Sequence, residues 1–370
     1  MIEGTKGINE KVNTLQEFTL MFWKNQILIN DNKIPFGQCT TDILNLRDDY
    51  LVEMNDSRNA LVGAMQTLFN PNIKKDLATV TEIQNKLNKV LDIAIALPPF
   101  HYLIEKEFGH SMLVDIFNSQ QQGFKAMTDR STHQGEVFHH FIFKLISIID
   151  ETIAFKKYIS VMLDLYFEKL NKRNEEHYAV GVYSFFTDTK LLNEIRMTMP
   201  PLPTFDFTQT RDVGIEYAPM RNPDNEKEYL IAERIVFTSM GAFLHLDFFR
   251  ALMNGHCPRK CHNCETYFLL LSGHNTCYCS NIAPNQKNVG DTKTCRDIGA
   301  HIKETQKKEK RTPAQQEYDK VYNRLKTRKN RGKLSVDEWN KQVAQAVSYM
   351  EQNMRGELSD FEYMEIMRKF

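Results

Sequence analysis

Apolar residues recur at three- and four-residue spacings through the first 198 residues, with few glycines or prolines between them, which is typical of amphipathic helices. The clearest stretches are Val80 to Leu97, which Pro98 and Pro99 end, and Val137 to Leu170, which is long enough for one helix or two. The pattern predicts an α-helical domain over residues 1–198.

A proline-rich run, MPPLPTFDF, interrupts this pattern at residues 199–207. Three prolines within five residues cannot continue a helix, so the chain must leave the helical region there in an extended form. The stretches GIEYAPM and EYLIAERIVF then flank RNPDNEK, whose residues favour a chain reversal. We therefore predict a proline-rich linker and a β-hairpin over residues 199–238.

Helix signals return after the hairpin. Thr238 or Ser239 can cap a helix that runs to about Asn254, and Gly255 is suited to end it. Further along, capping-box signatures begin at Thr312 and at Ser335, each with Gln or Glu three residues later. These two signatures predict a helical hairpin near the C-terminus.

The charges of the chain are unevenly placed. Basic and acidic residues number 47 each, yet residues 255–333 hold 17 Lys and Arg against 7 Asp and Glu, a net charge of +10. A basic segment of this kind indicates an anionic partner, and we expect nucleic acid. The candidate contact residues lie on the first helix of the hairpin and at its end: Lys320, Arg324, Arg328 and Arg331.

Composition narrows the class of protein. Hydrophobic residues make up 42% and charged residues 25%, which favours a globular protein over a disordered chain. Residues 1–30 lack the pattern of a signal peptide, and the sequence contains no uncharged apolar span of 18 residues. We expect a cytoplasmic protein without a membrane partner. Motifs of P-loop, dinucleotide-binding, serine-hydrolase and HExxH metal enzymes are absent from the sequence.

Five of the seven cysteines fall within residues 261–295. Thiols of cytosolic proteins stay reduced, so this concentration favours metal ligation over disulfides. Cys261 and Cys264 form the C-x2-C pair of a zinc knuckle, and Cys295 is a candidate from the second half. Spacing alone does not choose between Cys277 and Cys279 for the remaining ligand.

Three sequence blocks carry a resemblance to known proteins: RKCHNCETYF, then YCS, then TCRDIGA. They resemble an uncharacterised bacterial family with the same knuckle, and this resemblance covers roughly residues 213–345. That family is in turn distantly similar to CGNR-type zinc fingers of bacterial regulators. The resemblance implies four ligands to a structural Zn²⁺, with Cys257 and Cys277 as extras: Cys261, Cys264, Cys279 and Cys295. Where those regulators have Cys-Gly-Asn-Arg, this chain has Cys-Arg-Asp-Ile from Cys295 onward.

Together these signals predict a mainly α protein with a helical N-terminal domain, a β-hairpin, a small zinc knuckle and a C-terminal basic helical hairpin. We assign residues 239–300 to a helix plus zinc-knuckle module and residues 301–370 to a helical tail. A site closed by four cysteines leaves no position for water, so we do not expect catalytic zinc. The predicted function is nucleic-acid binding by the zinc module and basic helix, in a bacterial regulatory, mobile-element or phage-defence setting.

Two alternative functions use other residues. The stretch RDIGAH, Arg296 to His301, matches the R-polar-x3-H motif of HEPN-like ribonucleases. In those enzymes paired Arg and His from two α-helical protomers cleave RNA: His manages the 2′-hydroxyl proton and Arg stabilises charge on the phosphate. The second alternative is a zinc-stapled interaction protein without a nucleic-acid role, with a protein partner or a homodimer formed through the N-terminal domain.

Two E-x2-H motifs, Glu107 with His110 and Glu136 with His139, have the form of di-iron half-sites. Such a short pattern arises easily by chance, so we interpret both motifs as solvated helix faces.

Overall fold

A computed structural model describes residues 13–30, 32–73, 76–104, 123–198, 213–284, 286, 292–309 and 311–370. The proline-rich run predicted at residues 199–207 lies outside these residues. The chain divides into two compact units, Met1–Cys277 and Tyr278–Phe370. Within the described residues there are thirteen α-helices and seven strands, which confirms the mainly α fold class. The predicted division into residues 1–198, 199–238, 239–300 and 301–370 stays a prediction.

The helices of the first unit carry most of its core. They are α1 (Gln38–Leu44), α2 (Asp48–Phe69), α3 (Leu77–Ala96), α4 (Phe100–Leu103), α5 (Gly123–Thr128), α6 (His133–Met162), α7 (Glu175–Thr187), α8 (Thr189–Met197) and α9 (Met240–Met253). As predicted, α3 ends just before Pro98. The long apolar stretch from Val137 is one helix, α6, which passes into a π-helical turn at Leu163–Phe167.

A five-stranded antiparallel sheet completes the first unit. Its strands are β1 (Phe18–Trp23), β2 (Gln26–Ile29), β3 (Asn32–Pro35), β4 (Val213–Asn222) and β5 (Asn225–Phe237), in the order β3-β2-β1-β5-β4. The predicted hairpin is confirmed as β4 and β5.

The prediction of helices throughout residues 1–198 is wrong for β1 to β3. In β1 every second residue, Phe18, Leu20 and Phe22, is buried, which is the period of a strand with one covered face. Strands this short carry a weak local signal. Strand β1 pairs on one side with its neighbour β2, with Phe22 opposite Ile27, and on the other side with β5, with Phe18 opposite Phe237. One of its two pairings therefore spans more than 200 residues.

Helix α9 immediately precedes the cysteine-rich segment in the chain. Two buried carboxylates connect it to neighbouring helices, Glu151 to α6 and Asp247 to α1. Ser239 caps α9 as predicted, and Glu151 of α6 accepts hydrogen bonds from the Gly241 amide (2.8 Å) and the Ser239 hydroxyl (3.0 Å). In turn, Asp247 of α9 caps the first turn of α1. Gly255 follows the helix with a φ of 72°, which confirms it as the residue that ends α9.

The second unit contains α10 (Cys295–Glu309), α11 (Pro313–Asn330), α12 (Val336–Met354) and α13 (Asp360–Arg368). The predicted capping boxes begin α11 and α12. A third box, Ser359 with Glu362, begins α13, which the predicted two-helix hairpin did not include. The three last helices share one small core: Ala314, Val321, Leu325, Ala346, Tyr363 and Met367.

Within the described ranges, none of the helices has the length and apolar character that a membrane crossing requires.

Candidate metal centre

The first cysteine pair lies at the tip of a short hairpin. Strands β6 (Cys257–Lys260) and β7 (Tyr267–Leu270) pair antiparallel, with Lys260 opposite Tyr267. The turn between them closes through hydrogen bonds from the Cys261 amide to the Thr266 carbonyl (3.0 Å) and from the Glu265 amide to the Cys261 carbonyl (2.9 Å). This turn places Cys261 and Cys264 on the same knuckle, as the C-x2-C spacing predicts.

The second pair is brought together by backbone pairing between distant residues. The Cys295 amide donates to the Asn281 carbonyl (2.9 Å), and the Arg296 amide donates to the Cys279 carbonyl (3.0 Å). Residues 279–283 and 293–296 therefore run side by side in opposite directions. This pairing explains how two cysteines separated by fifteen residues in the sequence can serve one site.

Cys295 is the first residue of α10. The side chain of Thr294 accepts a hydrogen bond from the Asp297 amide (3.2 Å), and the Asp297 carboxylate accepts from the Thr294 hydroxyl (2.7 Å) and amide (3.0 Å). The hydrogen bonds from Thr294, and the positive charges nearby, lower the pKa of Asp297. Thr294 and Asp297 thus cap the start of α10 and fix the backbone position of Cys295.

The sulfur atoms of Cys261, Cys264, Cys279 and Cys295 all lie within 4.8 Å of one another. Three of these cysteines are buried, and Cys264 is half-buried. Four thiolates around one zinc ion at about 2.3 Å stand about 3.8 Å apart, so the longest separation has to shrink by only about 1 Å. A four-sulfur set of this size can hold a metal ion, and its soft donors suit zinc or an iron–sulfur centre.

This group does not include Cys257 or Cys277. The Cys257 thiol is fully buried and donates to the Pro258 carbonyl (3.3 Å), and burial raises its pKa far above that of a free cysteine, so it stays neutral. Cys277 instead contributes its backbone carbonyl, which accepts from the His262 amide (2.9 Å). The structure thus places Cys279, rather than Cys277, with the other three cysteines.

Sequence reasoning missed the role of Gly299. A β-carbon at this position would lie 2.4 Å from the ring of Tyr278, so only glycine lets the ring pack against α10. Tyr278 precedes Cys279, and Gly299 follows Cys295 by four residues. The tyrosine of the YCS block and the glycine of TCRDIGA are therefore partners in one packing contact.

The four residues predicted to contact nucleic acid do not form one free stripe on α11. Arg324 donates to the Met367 carbonyl (3.2 Å) and Arg328 to the Phe370 carbonyl (2.8 Å), so both stabilise the C-terminal end of α13. Lys320 is 70% exposed and pairs with Glu317 at 2.9 Å. The side chain of Arg331 is exposed.

The described E-x2-H motif, Glu136 with His139, does not form a metal site. Glu136 is exposed, whereas His139 packs edge-on against Phe69 at 5.1 Å, and burial lowers its pKa. Glu107 and His110 lie outside the described residues. Among the residues that the structure describes, the cysteine group is the one set of three or more His, Cys, Asp or Glu side chains close enough to share an ion.

Arg296 and His301, the residues of the ribonuclease alternative, are both exposed on α10. They are five residues apart, and at 100° per residue their side chains leave the helix about 140° apart. This arrangement does not direct both side chains of one chain toward a single phosphate.

Comparison with known protein families gives a match to the C-terminal part of the chain. Residues 208–369 match DUF6076, a family of unknown function. The match extends from just before β4 to the end of α13 and includes all four clustered cysteines. Searches of curated proteins and of solved structures found no match.

Proposed function

We propose that the four clustered cysteines bind one structural Zn²⁺, and that the protein uses the basic segment that follows to bind nucleic acid. The observation that carries the first part is the convergence of four sulfur atoms within 4.8 Å. Zn²⁺ is the metal that closed four-cysteine sites commonly bind, and such a site has no open position for substrate or water. The metal would therefore supply folding free energy rather than catalysis.

Each cysteine has a defined part in this proposal. Cys261 and Cys264 would bind through the knuckle turn, and Cys279 and Cys295 through the paired backbone of residues 279–283 and 293–296. Zinc would then fix the first residue of α10, the helix that leads into the most basic part of the chain. Without metal, nothing would hold the four sulfur atoms together, so we expect the segment to lose its order.

Elemental analysis of single Cys→Ser variants tests the zinc centre. We expect one zinc ion per chain in the wild type and loss of zinc in variants of the four clustered cysteines. Cys277→Ser is the matched control for Cys279→Ser, because the two cysteines are two residues apart and only Cys279 is in the cluster. Loss of zinc in Cys277→Ser with retention in Cys279→Ser would show that the ligand set is wrong.

The support for nucleic-acid binding is the net charge of +10 over residues 255–333. Among the predicted contacts, Lys320 and Arg331 are exposed, whereas Arg324 and Arg328 also have a structural role at α13. We therefore assign phosphate contacts first to Lys320 and Arg331. The neighbouring cation Lys326 is exposed as well and extends the same basic segment.

Titration of a fluorescent oligonucleotide at several salt concentrations tests this second part. Affinity should fall about a thousandfold between about 50 and 200 mM salt if six phosphates are contacted, and the double variant Lys320→Glu, Arg331→Glu should reduce the slope by about two. The double variant Lys341→Glu, Arg355→Glu is the control, because it makes the same charge change at exposed positions within residues 334–370, which hold 4 Lys and Arg against 7 Asp and Glu. Absence of binding at low salt would favour the zinc-stapled interaction protein instead.

The ribonuclease alternative, with Arg296 and His301 of two protomers, stays a prediction. The cytoplasmic location, the bacterial setting, the CGNR-type similarity and a homodimer through the N-terminal domain stay predictions.

A further inference from the structure

Glu168 follows the π-helical turn and occupies an unusual position for a carboxylate. It receives two hydrogen bonds from the fork of Arg259, at 3.2 Å from Nε and 3.3 Å from Nη2, and a third from Arg173 at 3.2 Å. Arg259 and Arg173 are both buried, with side chains 8% and 5% exposed. Burial opposes ionisation of Glu168, but the hydrogen bonds and charge of Arg259 and the charges of Arg173 and His262 outweigh burial and lower its pKa.

Arg259 uses its remaining nitrogen to hold the chain ahead of the second cysteine pair. Its Nη1 donates to the Thr276 carbonyl (2.9 Å) and to the Asn275 side chain (3.3 Å). The next residue, Cys277, is held by the His262 amide. One buried guanidinium therefore joins Glu168, strand β6 and the segment that ends two residues before Cys279.

This geometry matters because metal affinity depends on how well the ligands are held before the metal arrives. Arg259 lies two residues before Cys261, and Thr276 lies three residues before Cys279, so the same side chain orders the approach to both halves of the cluster. A planar fork can bridge a carboxylate and a carbonyl in this way, whereas a lysine ammonium has no fixed fork. The carboxylate sets the orientation of the fork, in the manner of groups that orient metal ligands from outside the coordination sphere.

We propose that Glu168 is a positioning residue of the metal centre, which acts through Arg259 to hold residues 275–277 where Cys279 can join the C-x2-C pair. This inference rests on the zinc centre proposed above. Glu168 lies outside the region that matches DUF6076, so the inference assigns part of the support of the centre to the helical N-terminal part of this chain.

Competition for Zn²⁺ with a chromophoric chelator, on the full-length protein, tests the role of Glu168. Glu168→Gln keeps the shape of the side chain but removes the charge that orients Arg259. We expect its Zn²⁺ dissociation constant to rise about tenfold. The spectrum of the Co²⁺-loaded variant should stay that of four thiolate ligands, because all four cysteines are still present.

Asp150→Asn is the matched control. Asp150 of α6 accepts two hydrogen bonds from Arg58 of α2 (2.9 and 2.8 Å) and is also largely buried, but this pair joins two helices of the N-terminal part. This variant should lose stability without a change in Zn²⁺ affinity. If Glu168→Gln does not fold, Arg259→Lys provides the second test, since it keeps the buried charge and loses the fork; it too should bind Zn²⁺ about tenfold more weakly.

The outcomes separate the two proposals. A wild-type chain that binds no Zn²⁺ would overturn the zinc centre and the role of Glu168 together. A wild type that binds one Zn²⁺, with both Glu168→Gln and Arg259→Lys unchanged in affinity, would overturn the role of Glu168 alone. Equal weakening in Asp150→Asn would also overturn it, because affinity would then follow general stability.

Discussion

Replacement of Asp247 by alanine should destabilise the first unit more than loss of an ordinary helix cap. Asp247 is fully buried in α9, and its carboxylate accepts from the Gly37 amide (2.7 Å), the Thr40 amide (2.9 Å) and the Thr40 hydroxyl (2.8 Å). Gly37, the N-cap residue of α1, has no side chain that could accept hydrogen bonds from these amides. Asp247→Ala therefore leaves three buried donors without their acceptor.

Two opposing effects set the size of the loss. An unsatisfied buried donor costs about 1–3 kcal/mol, so three of them cost about 6 kcal/mol. Burial, however, raises the pKa of Asp247 to about 6, which means that the ionised carboxylate is itself held at a cost of about 3 kcal/mol at neutral pH. The substitution removes that cost, so we expect a net loss of about 3 kcal/mol in the free energy of unfolding.

The measurement is urea denaturation followed by tryptophan fluorescence. The chain has two tryptophans, Trp23 and Trp339, so a Trp339→Phe background leaves Trp23 to report on the first unit. The control is Asp76→Ala, which removes an exposed cap of α3 that accepts a hydrogen bond from the Thr79 amide (2.8 Å) and should cost about 1 kcal/mol. The reasoning is refuted if Asp247→Ala costs no more than Asp76→Ala.

Two further predictions concern pH and the tail. Because the folded pKa of Asp247 lies above the value of about 4 in an unfolded chain, the folded state takes up the proton first, and this group adds stability as the pH falls. The cost of Asp247→Ala should therefore grow by about 1 kcal/mol between pH 7 and pH 5 in the same urea assay. Arg328→Ala should lower the stability of the second unit by about 1 kcal/mol, read from Trp339 fluorescence in a Trp23→Phe background, because it removes a hydrogen bond at the end of α13. Lys320→Ala, which removes an exposed charge, should leave that stability unchanged.

The sequence by itself predicted the elements that depend on neighbouring residues. The end of α3 before Pro98, the caps at Ser239, Thr312 and Ser335, and the β4–β5 hairpin follow from interactions within a few positions of the chain. The same holds for the knuckle, because C-x2-C needs only one turn to bring two sulfurs together. The third capping box, Ser359 with Glu362, is an equally local signal for the start of α13.

Only the tertiary structure decided what depends on pairing across long stretches of chain. Strand β1 lies inside the sheet because, besides its local pairing with β2, it pairs with β5, more than 200 residues away. The spacing of the cysteines left Cys277 and Cys279 open and only the family resemblance favoured Cys279, which backbone pairing with residues 295 and 296 then places in the cluster. Spacing along α11 placed Arg328 on a basic stripe, but the end of α13 supplies a carbonyl that draws this side chain to a structural role. In each case the partner is distant in sequence, so no local pattern of residues records the contact that determines the outcome.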